Sequence, residues 1–532
     1  MQRALIIGSG PAAAGAALAL CNREDLQISV IDLGLQLEPD RERTVEALAA
    51  TDHESWDAHD VAEIAGQPVR SGSGSLPQKR AYGSDFPFRD IGQLEGLTTP
   101  GGANGSVISP AYGGFSSVWG AQVMPFATSV FERWPVSAAE MKPHYRAVLG
   151  EIPYAAEEDD LAPLFPLIGR PMDLPPPSAR SARVLAAYAG HRSAINRLGV
   201  AVGKARLAFN ADACVRCGLC LTGCPYDLIY SAAQTFDRLR GEQRVTYRSG
   251  LLALRLEEDG DQAIVTAREI ATGRTERFEA DRVYVACGGI GTTRLVAGSL
   301  GLLGEELTML ESQQFSLPFL SLRRTPDPRR EALFTLNQFN LTVALDDEGF
   351  DLAQLHFYTF NSAFSDALPT PLRARIAEPA RKELLRRLSF ALGYLPSWRS
   401  PAVSVRISPT MRDGALPEMS ISRGAVPSGR NAMMRTIVAR LLRSAPRLDL
   451  YPVLPMLRLS AAAKSYHYGG SFPHAVDAPA RLHSDRTGRT GPWQRIHLVD
   501  ASVFPSVPAT TFTLTVMANA HRIATETLAL PQ

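Results

Sequence analysis

The stretch from Ala4 to Asp32 constrains the fold more than any other part of the chain. Ala4-Leu-Ile-Ile7 reads as a short buried strand, and Gly8-Ser-Gly10-Pro-Ala-Ala13 follows it. A helix of small residues from Pro11 to about Asn22 comes next, and a second strand, Ile28 to Ile31, ends on Asp32. This is G-x-G-x-x-A in a strand–turn–helix–strand context, the arrangement that brings backbone amides and a helix N-terminus up to a pyrophosphate. Gly8 and Gly10 permit the close approach, Ala13 permits tight helix packing, and Asp32 stands where a ribose hydroxyl is bound. The fingerprint implies a dinucleotide without choosing between FAD and NAD.

A second constraint is Cys214-Val-Arg-Cys217-Gly-Leu-Cys220-Leu-Thr-Gly-Cys224-Pro225, which holds four of the six cysteines. C-x2-C-x2-C-x3-C-P is the run by which small ferredoxins hold iron–sulfur clusters. Gly218 and Gly223 allow the turns, and Pro225 stiffens the exit. A zinc knuckle or two disulfides are the bland alternatives. Zinc sites usually split their ligands into two distant pairs, and disulfides do not suit a chain without a secretory signal. In two-cluster ferredoxins the fourth cysteine serves the other cluster. With one run, either Cys224 completes a 4Fe-4S site or three thiolates hold a 3Fe-4S cluster.

The 532 residues imply more than one domain or a large composite. Lys+Arg is 55 against 54 Asp+Glu, so no net field draws nucleic acid. No apolar run approaches the roughly 20 residues that span a bilayer. The N-terminus reads as strand–turn–helix rather than a signal peptide. A cytoplasmic location is therefore expected, in keeping with an oxygen-sensitive cluster.

Residues 35 to about 95 are polar and read as a solvated excursion or lid, with Arg70–Ser75 as a loop. Two glycine-rich turns follow, Pro100–Gly105 and Gly113–Gly120. Helices are expected over 138–149, 178–198 and 228–240, and strands over 251–257 and 264–270. Val283–Ala286 runs into Cys287-Gly288-Gly289, a second strand-then-glycine turn that suggests a nucleotide domain built from separated pieces. Residues 313–360 alternate apolar and polar, as in an antiparallel sheet with one wet face. From Leu372 to Leu395 a helical pattern gathers leucines on one side and arginines elsewhere. A basic amphipathic helix is able to lie on a membrane, but packing on the sheet with a solvated face is preferred. The last segment carries His467, His474, His483 and His497, Val499-Asp500-Ala501-Ser502, and a final helix from about Thr510 to Leu528.

Together these pieces resemble the glucose–methanol–choline (GMC) family of flavin oxidoreductases. The resemblance covers the fingerprint, Gly113–Gly120, Ala286–Gly291 and Ile496–Leu528, and is weak over 300–450. It implies bound FAD, with Asp32 on the adenosine ribose. Gly114, Ser116, Ser117, Gly288, Asp500 and Ala501 would line the cofactor, and Asp500 would lie by the ribityl chain. His467 would be the acid/base beside the flavin. Gly113-Gly-Phe-Ser-Ser-Val118-Trp119 is similar to the sugar-oxidising branch that includes pyranose oxidase. Some members link a histidine to the flavin where this chain has Val118, so non-covalent FAD is expected. FAD-dependent glucose dehydrogenases carry a cysteine loop in a similar place, which favours a dehydrogenase. Members place a second histidine or an asparagine where this chain has Thr511, which cannot titrate.

The implied fold is α/β: a Rossmann-like FAD-binding domain assembled from discontinuous segments, plus an α+β substrate domain with an antiparallel sheet. Residues 1–45, 96–130, 201–300 and 456–532 would supply the FAD-binding parts. The third of these carries the iron–sulfur loop and the last the histidine. Residues 46–95 would be the excursion, 131–200 a connecting or substrate-domain segment, and 301–455 the substrate domain. The expected reaction is oxidation of a CH–OH group in a sugar or other small-molecule alcohol, with electrons passing to a one-electron acceptor protein. Two rivals stand beside it. In one, a donor protein feeds the flavin through the cluster for a reductase or isomerase. In the other, the chain is a non-catalytic electron-transfer module.

Overall fold

A computed structural model of the chain describes residues 2–66, 79–89, 97–98, 107–346, 351–360, 378–461, 463–477 and 480–529. The expected loops 70–75 and 100–105 lie outside these residues, as does the start of the helix expected over 372–395.

Strand Gln2–Ile7 pairs in parallel with Leu26–Ile31 on one side and Arg282–Val285 on the other. Thr246–Arg248 and Ile496–Leu498 extend the sheet at its two edges, also in parallel. This five-stranded sheet thus draws its strands from both ends of the chain. Ile6, Val30, Val283 and Leu498 are fully buried, as befits parallel strands covered on both faces. Helix Pro11–Leu20 is buried from Ala12 onward. It lies against the last helix, Thr513–Leu528, with no space to spare: a Cβ at Gly15 would stand 2.2 Å from the Met517 carbonyl oxygen.

The second large sheet is antiparallel. Its main order is Tyr451–Pro452, Gln314–Leu320, Leu388–Tyr394, Leu352–Tyr358, Asn337–Ala344, Val200–Lys204. One face presents Phe315, Leu317, Phe319, Leu341, Val343, Leu355 and Phe357, which form a core with helices Ala179–Asn196 and Arg430–Leu448. The opposite face is the expected wet one, and here the structure differs. Asn340, Gln354 and His356 are at most 1% exposed. The segments at Gln122–Met124 and Thr510–Thr511 cover them, and Gln354 and Thr510 both reach the Met124 sulfur at 3.5 Å. The alternation marks a polar interior, not solvent.

The helix expected over 372–395 is also corrected. Among the described residues it runs only from Glu378 to Leu385, and Leu388–Tyr394 is a strand paired on both sides. A seven-residue run with two partner strands gains ladder hydrogen bonds that a helix would forfeit, so tertiary pairing overrides the local period. Arg381 pairs with Glu378 and Arg387 with Glu383, so these arginines serve the fold's own surface. No helix among the described residues is long and apolar enough to cross a membrane.

The Gly15 contact generates a test with a definite sign. Helix propensity alone makes Gly→Ala stabilising by about 1 kcal/mol. Against a fixed carbonyl the added methyl forces the two helices apart, so Gly15→Ala should instead destabilise by about 1–3 kcal/mol. Urea unfolding midpoints of the two proteins decide it, and a gain in stability would show that the helices part freely.

Candidate functional site

The first turn is built by backbone proximity. Gly8 has φ +106°, and a Cβ there would meet the Ala286 oxygen at 2.5 Å. A Cβ at Gly114 would come within 3.2 Å of the Gly10 Cα, so the fingerprint turn and the Gly113–Gly120 stretch meet as bare backbone. Ala13, fully buried, lets the helix sit low on the sheet. No side chain caps that helix at Gly10, which leaves its first amides for an anion. Ser9 donates to Asp32 and accepts from the Gly113 amide at 2.9 Å. Tyr247 reaches Asp32 at 3.4 Å, and burial pushes the Asp32 carboxyl up to about 7. These features fit a dinucleotide: a cradle that side chains would fill, open amides and a ribose acceptor.

Ser116 and Ser117 serve the turn itself. Ser116 Oγ donates to the Gly113 oxygen at 2.5 Å and accepts from the Ala232 amide at 2.8 Å. Ser117 Oγ donates to the Gly114 oxygen at 2.8 Å. Gly288, at φ +78°, is the N-cap of helix Gly289–Ser299. Asp500 is buried there, accepting from Thr292 and from the Ser502 amide. Burial raises its carboxyl above the ordinary range.

The histidine is placed by the same seam. The Gly470 amide donates to the Ala501 oxygen at 2.8 Å, and a Cβ at Gly469 would lie 2.1 Å from that oxygen. The Glu311 carboxylate accepts from the Ala463 and Ser465 amides and from Ser465 Oγ, which fixes the loop just before His467. Tyr466, held at φ +58°, packs edge-on against Phe115 at 5.2 Å and so links His467 to the Gly114 turn.

Around His467 the contacts close a circuit. Its ring stacks on Tyr394 at 4.6 Å, and Tyr394 packs on His356 at 4.9 Å. His356 Nε2 lies 3.1 Å from the Gln122 amide nitrogen and 2.9 Å from Gln354 Oε1. Thr511 donates to the Gln122 carbonyl at 3.1 Å, and neighbouring Phe512 meets His467 edge-on at 5.0 Å. His467 Nδ1 is buried without a partner. Burial pushes His467 down to about 3, so the ring is neutral at ordinary pH. The other three histidines lie elsewhere. His474 bonds Ser484 and faces Asn519 and Arg522, His497 bonds the Thr487 carbonyl, and His483 is exposed.

His356 was missed by sequence reasoning. Its signal is faint: one imidazole at an alternating position of a strand whose wet face reads as solvent-facing.

Cys214, Cys217, Cys220 and Cys224 occupy one half-buried loop. Gly218 and Gly223 take φ +85° and +126°, the left-handed region their lack of Cβ allows. The excursion clamps this loop. Tyr82 OH donates to the Cys224 carbonyl at 3.0 Å, the Tyr82 ring fills the space a Gly223 Cβ would need, and Trp56 stacks on Tyr226 at 5.7 Å. Leu333 bridges to Cys217, and the Thr335 amide donates to Cys220 Sγ at 3.3 Å. Burial and the neighbouring thiols push Cys214 and Cys217 up to about 11 and Cys224 to about 12, so these sulfurs feel one another. No three of them come within 4.8 Å of one another. A single zinc ion with sulfurs at about 2.3 Å would draw them closer than that.

No protein-family model matches the chain, and no curated protein matches it in sequence. Solved structures do. Pyridoxine 4-oxidase from Mesorbium loti matches over 100% of both chains, with a TM-score of 0.62 at 15% identity. A variant of formate oxidase from Aspergillus oryzae RIB40, made to follow modification of its FAD, covers 98% of this chain and 97% of its own. Its TM-score is 0.59 at 13% identity. Another structure of formate oxidase gives 0.58 at 13%. The chain shares the fold of pyridoxine 4-oxidase and formate oxidase over nearly its whole length.

Asp32 gives a pH test. Only its ionised form accepts from two ribose hydroxyls, and its carboxyl titrates near 7. Dinucleotide binding favours the ionised form, so FAD affinity should weaken as pH falls through 7, by up to about tenfold per unit. Dissociation constants at pH 8 and pH 6, compared with those of Asp32→Asn, provide the check. Equal slopes in the two proteins would remove Asp32 from the ribose.

Proposed function

We propose that the chain is an FAD-dependent oxidoreductase of the GMC type. In this reading it oxidises a CH–OH group to C=O and passes the electrons out through an iron–sulfur cluster on Cys214, Cys217, Cys220 and Cys224. The observation that carries the reading is the segment 333–340. Its Leu333 and Thr335 hold the cysteine loop, and its Asn337 and Asn340 face the His356–His467 circuit. Two residues of extended chain span about 7 Å, so the loop and the site are near neighbours.

When bound, the isoalloxazine supplies the acceptor for a hydride from the carbinol carbon. The protein's share is positional. Gly8, Gly10 and Gly114 admit the pyrophosphate, and Asp32 takes the ribose. Val118 offers no imidazole for a covalent link, so the cofactor is held by contacts alone. His467, kept neutral by burial, takes the hydroxyl proton on its uncommitted Nδ1. Tyr394 and Phe512 fix its plane. Thr511 acts at one remove, by holding the Gln122 carbonyl. The cysteine loop would hold the group that turns a two-electron input into one-electron output. Free thiols resist ionising in this loop, and a bound cation reverses that balance because its ligands are thiolates.

An anaerobic screen of alcohols for flavin bleaching tests the reading, and the absence of bleaching by any alcohol would sink it. Bleaching that needs an added donor would reverse the direction of electron flow. His467→Ala should keep FAD and lose the reduction rate by about 10²–10⁴-fold, whereas His474→Ala should affect stability more than rate. Thr511→Ala should cost about fivefold, the worth of one hydrogen bond. An ordinary histidine base would lose activity as pH falls through about 6.5. Held near 3, His467 should keep the rate flat well below pH 6. Cys217→Ser should lose iron and sulfide yet still bleach, with sharply slower reduction of a one-electron acceptor. Unchanged metal content would refute the cluster.

A further inference from the structure

The excursion does more than clamp the cysteine loop. Just before Tyr82 it carries Lys79 to the Gly113–Gly120 stretch. A Cβ at Gly120 would lie 3.9 Å from Lys79 Nζ and 3.3 Å from the Tyr358 hydroxyl. Two polar groups from distant parts of the chain thus converge over bare backbone. Gly120 is not in the left-handed region, so what its missing side chain provides is the space between them. Tyr358 ends the strand that carries His356 and lies on the same face, about 7 Å further along. Gly120 is followed closely by Gln122, whose amide nitrogen faces His356. The pair therefore borders the His356–His467 circuit without sharing its hydrogen bonds.

Neither group is spent within the protein. Among the described residues Lys79 Nζ makes no hydrogen bond or ion pair, and the Tyr358 hydroxyl makes no hydrogen bond. No described carboxylate acts on the ammonium, and the Cys220 thiol is the one ionisable group that does. Cys220 itself accepts from the Thr335 amide and acts on the other three thiols of its loop. Burial pushes Lys79 down to about 8, so it is still charged at pH 7. Burial pushes the Tyr358 phenol up, so it keeps its proton to donate. An enclosed cation without a counter-ion is costly, and an oxyanion that accepts from both groups removes that cost with charge-assisted bonds.

We propose that Lys79 and Tyr358 form an anion subsite beside Gly120, and that the substrate is a hydroxy acid whose carboxylate binds there while its carbinol lies at His467. This rests on the proposed CH–OH oxidation and names the class of alcohol it takes. One ammonium matches one negative charge, which favours a carboxylate over a dianionic phosphate. A neutral alcohol leaves the ammonium unmatched, and a charge-assisted bond separates the two classes by about 10- to 10²-fold.

Binding and turnover are read separately on the intact FAD-loaded protein. Benzoate and hexanoate carry no carbinol, so titrating them against flavin absorbance and melting temperature tests the subsite alone. At least one should bind the parent. Lys79→Met should weaken that binding about 10- to 10²-fold, Lys79→Arg should keep most of it, and Tyr358→Phe should cost about fivefold. For turnover, 4-(hydroxymethyl)benzoate is set against benzyl alcohol, 6-hydroxyhexanoate against 1-hexanol, and glucose 6-phosphate against glucose. A hydroxy acid should bleach the flavin anaerobically with kcat/KM about tenfold or more above its neutral partner, and Lys79→Met should abolish the preference through KM with kcat little changed. A larger preference for the phosphate would overturn the carboxylate. Unchanged carboxylate binding in Lys79→Met with a loss of iron would assign the ammonium to the cysteine loop and overturn the subsite. Neutral alcohols reacting as well as hydroxy acids, with neither carboxylate bound, would overturn this inference and leave the oxidation standing. Carboxylate binding that depends on Lys79, without bleaching by any alcohol, would uphold the subsite and sink the oxidation.

Discussion

The close approach of the chain's two ends sets the position of everything else. Gly15 lets the first helix touch the backbone of the last, and the parallel sheet places Gln2–Ile7 one strand from Ile496–Leu498. Because of that closure, Gly8, Gly10 and Gly114 face the same interior as Gly288, Asp500 and Ala501. The seam from Gly469 to Ala501 then hangs His467 over that interior. A side chain at Gly15, Gly114 or Gly469 would act first on this backbone geometry and only through it on chemistry.

The antiparallel sheet solves a different problem, how to keep polar side chains inside a protein. Its apolar face anchors it with stacked Phe339 and Phe357 and two helices. That anchoring frees the other face to carry amides, an imidazole and a tyrosine whose partners are each other. The result is a site whose groups stay neutral because burial holds them so. His467 and His356 are both pushed far below an ordinary histidine. A neutral imidazole keeps a lone pair free to accept a proton at neutral pH. Proximity to a second ring that is also neutral costs it nothing electrostatically.

What could be read from the sequence follows from how local the physics is. The fingerprint was legible because strand, turn and helix are consecutive and each glycine answers to its immediate neighbours. The same holds for the spacing of Cys214 to Cys224 and for the final helix. His467 needed a resemblance, and the structure adds what separates it from His474, whose ring nitrogens face Ser484 and Asn519, and from His497, which bonds the Thr487 carbonyl and stacks on Tyr284 away from the substrate sheet. The strand Leu388–Tyr394 was not legible, since its leucines satisfy a helical period and only its two partner strands exclude the helix. His356 was hidden for a related reason. Alternation says which residues share a face, but a distant segment around Gln122 decides whether that face is wet.

The segment 333–340 shows why the cysteine loop and the substrate sheet belong to one device. Leu333 and Phe334 are buried against the loop, and Thr335 fastens it twice, by its amide to Cys220 and by its hydroxyl to the Gly218 carbonyl at 3.0 Å. Two residues on, a bulge turns Asn337 into the site. The loop therefore cannot shift without pulling on the strand that carries Asn337 and Asn340, and the strand cannot slip without releasing Cys220. The excursion braces the loop from the other side, through Tyr82 and Trp56. The half-buried loop is thus fixed on one side to the substrate sheet and on the other to the excursion; under the proposed function it would be the exit for electrons.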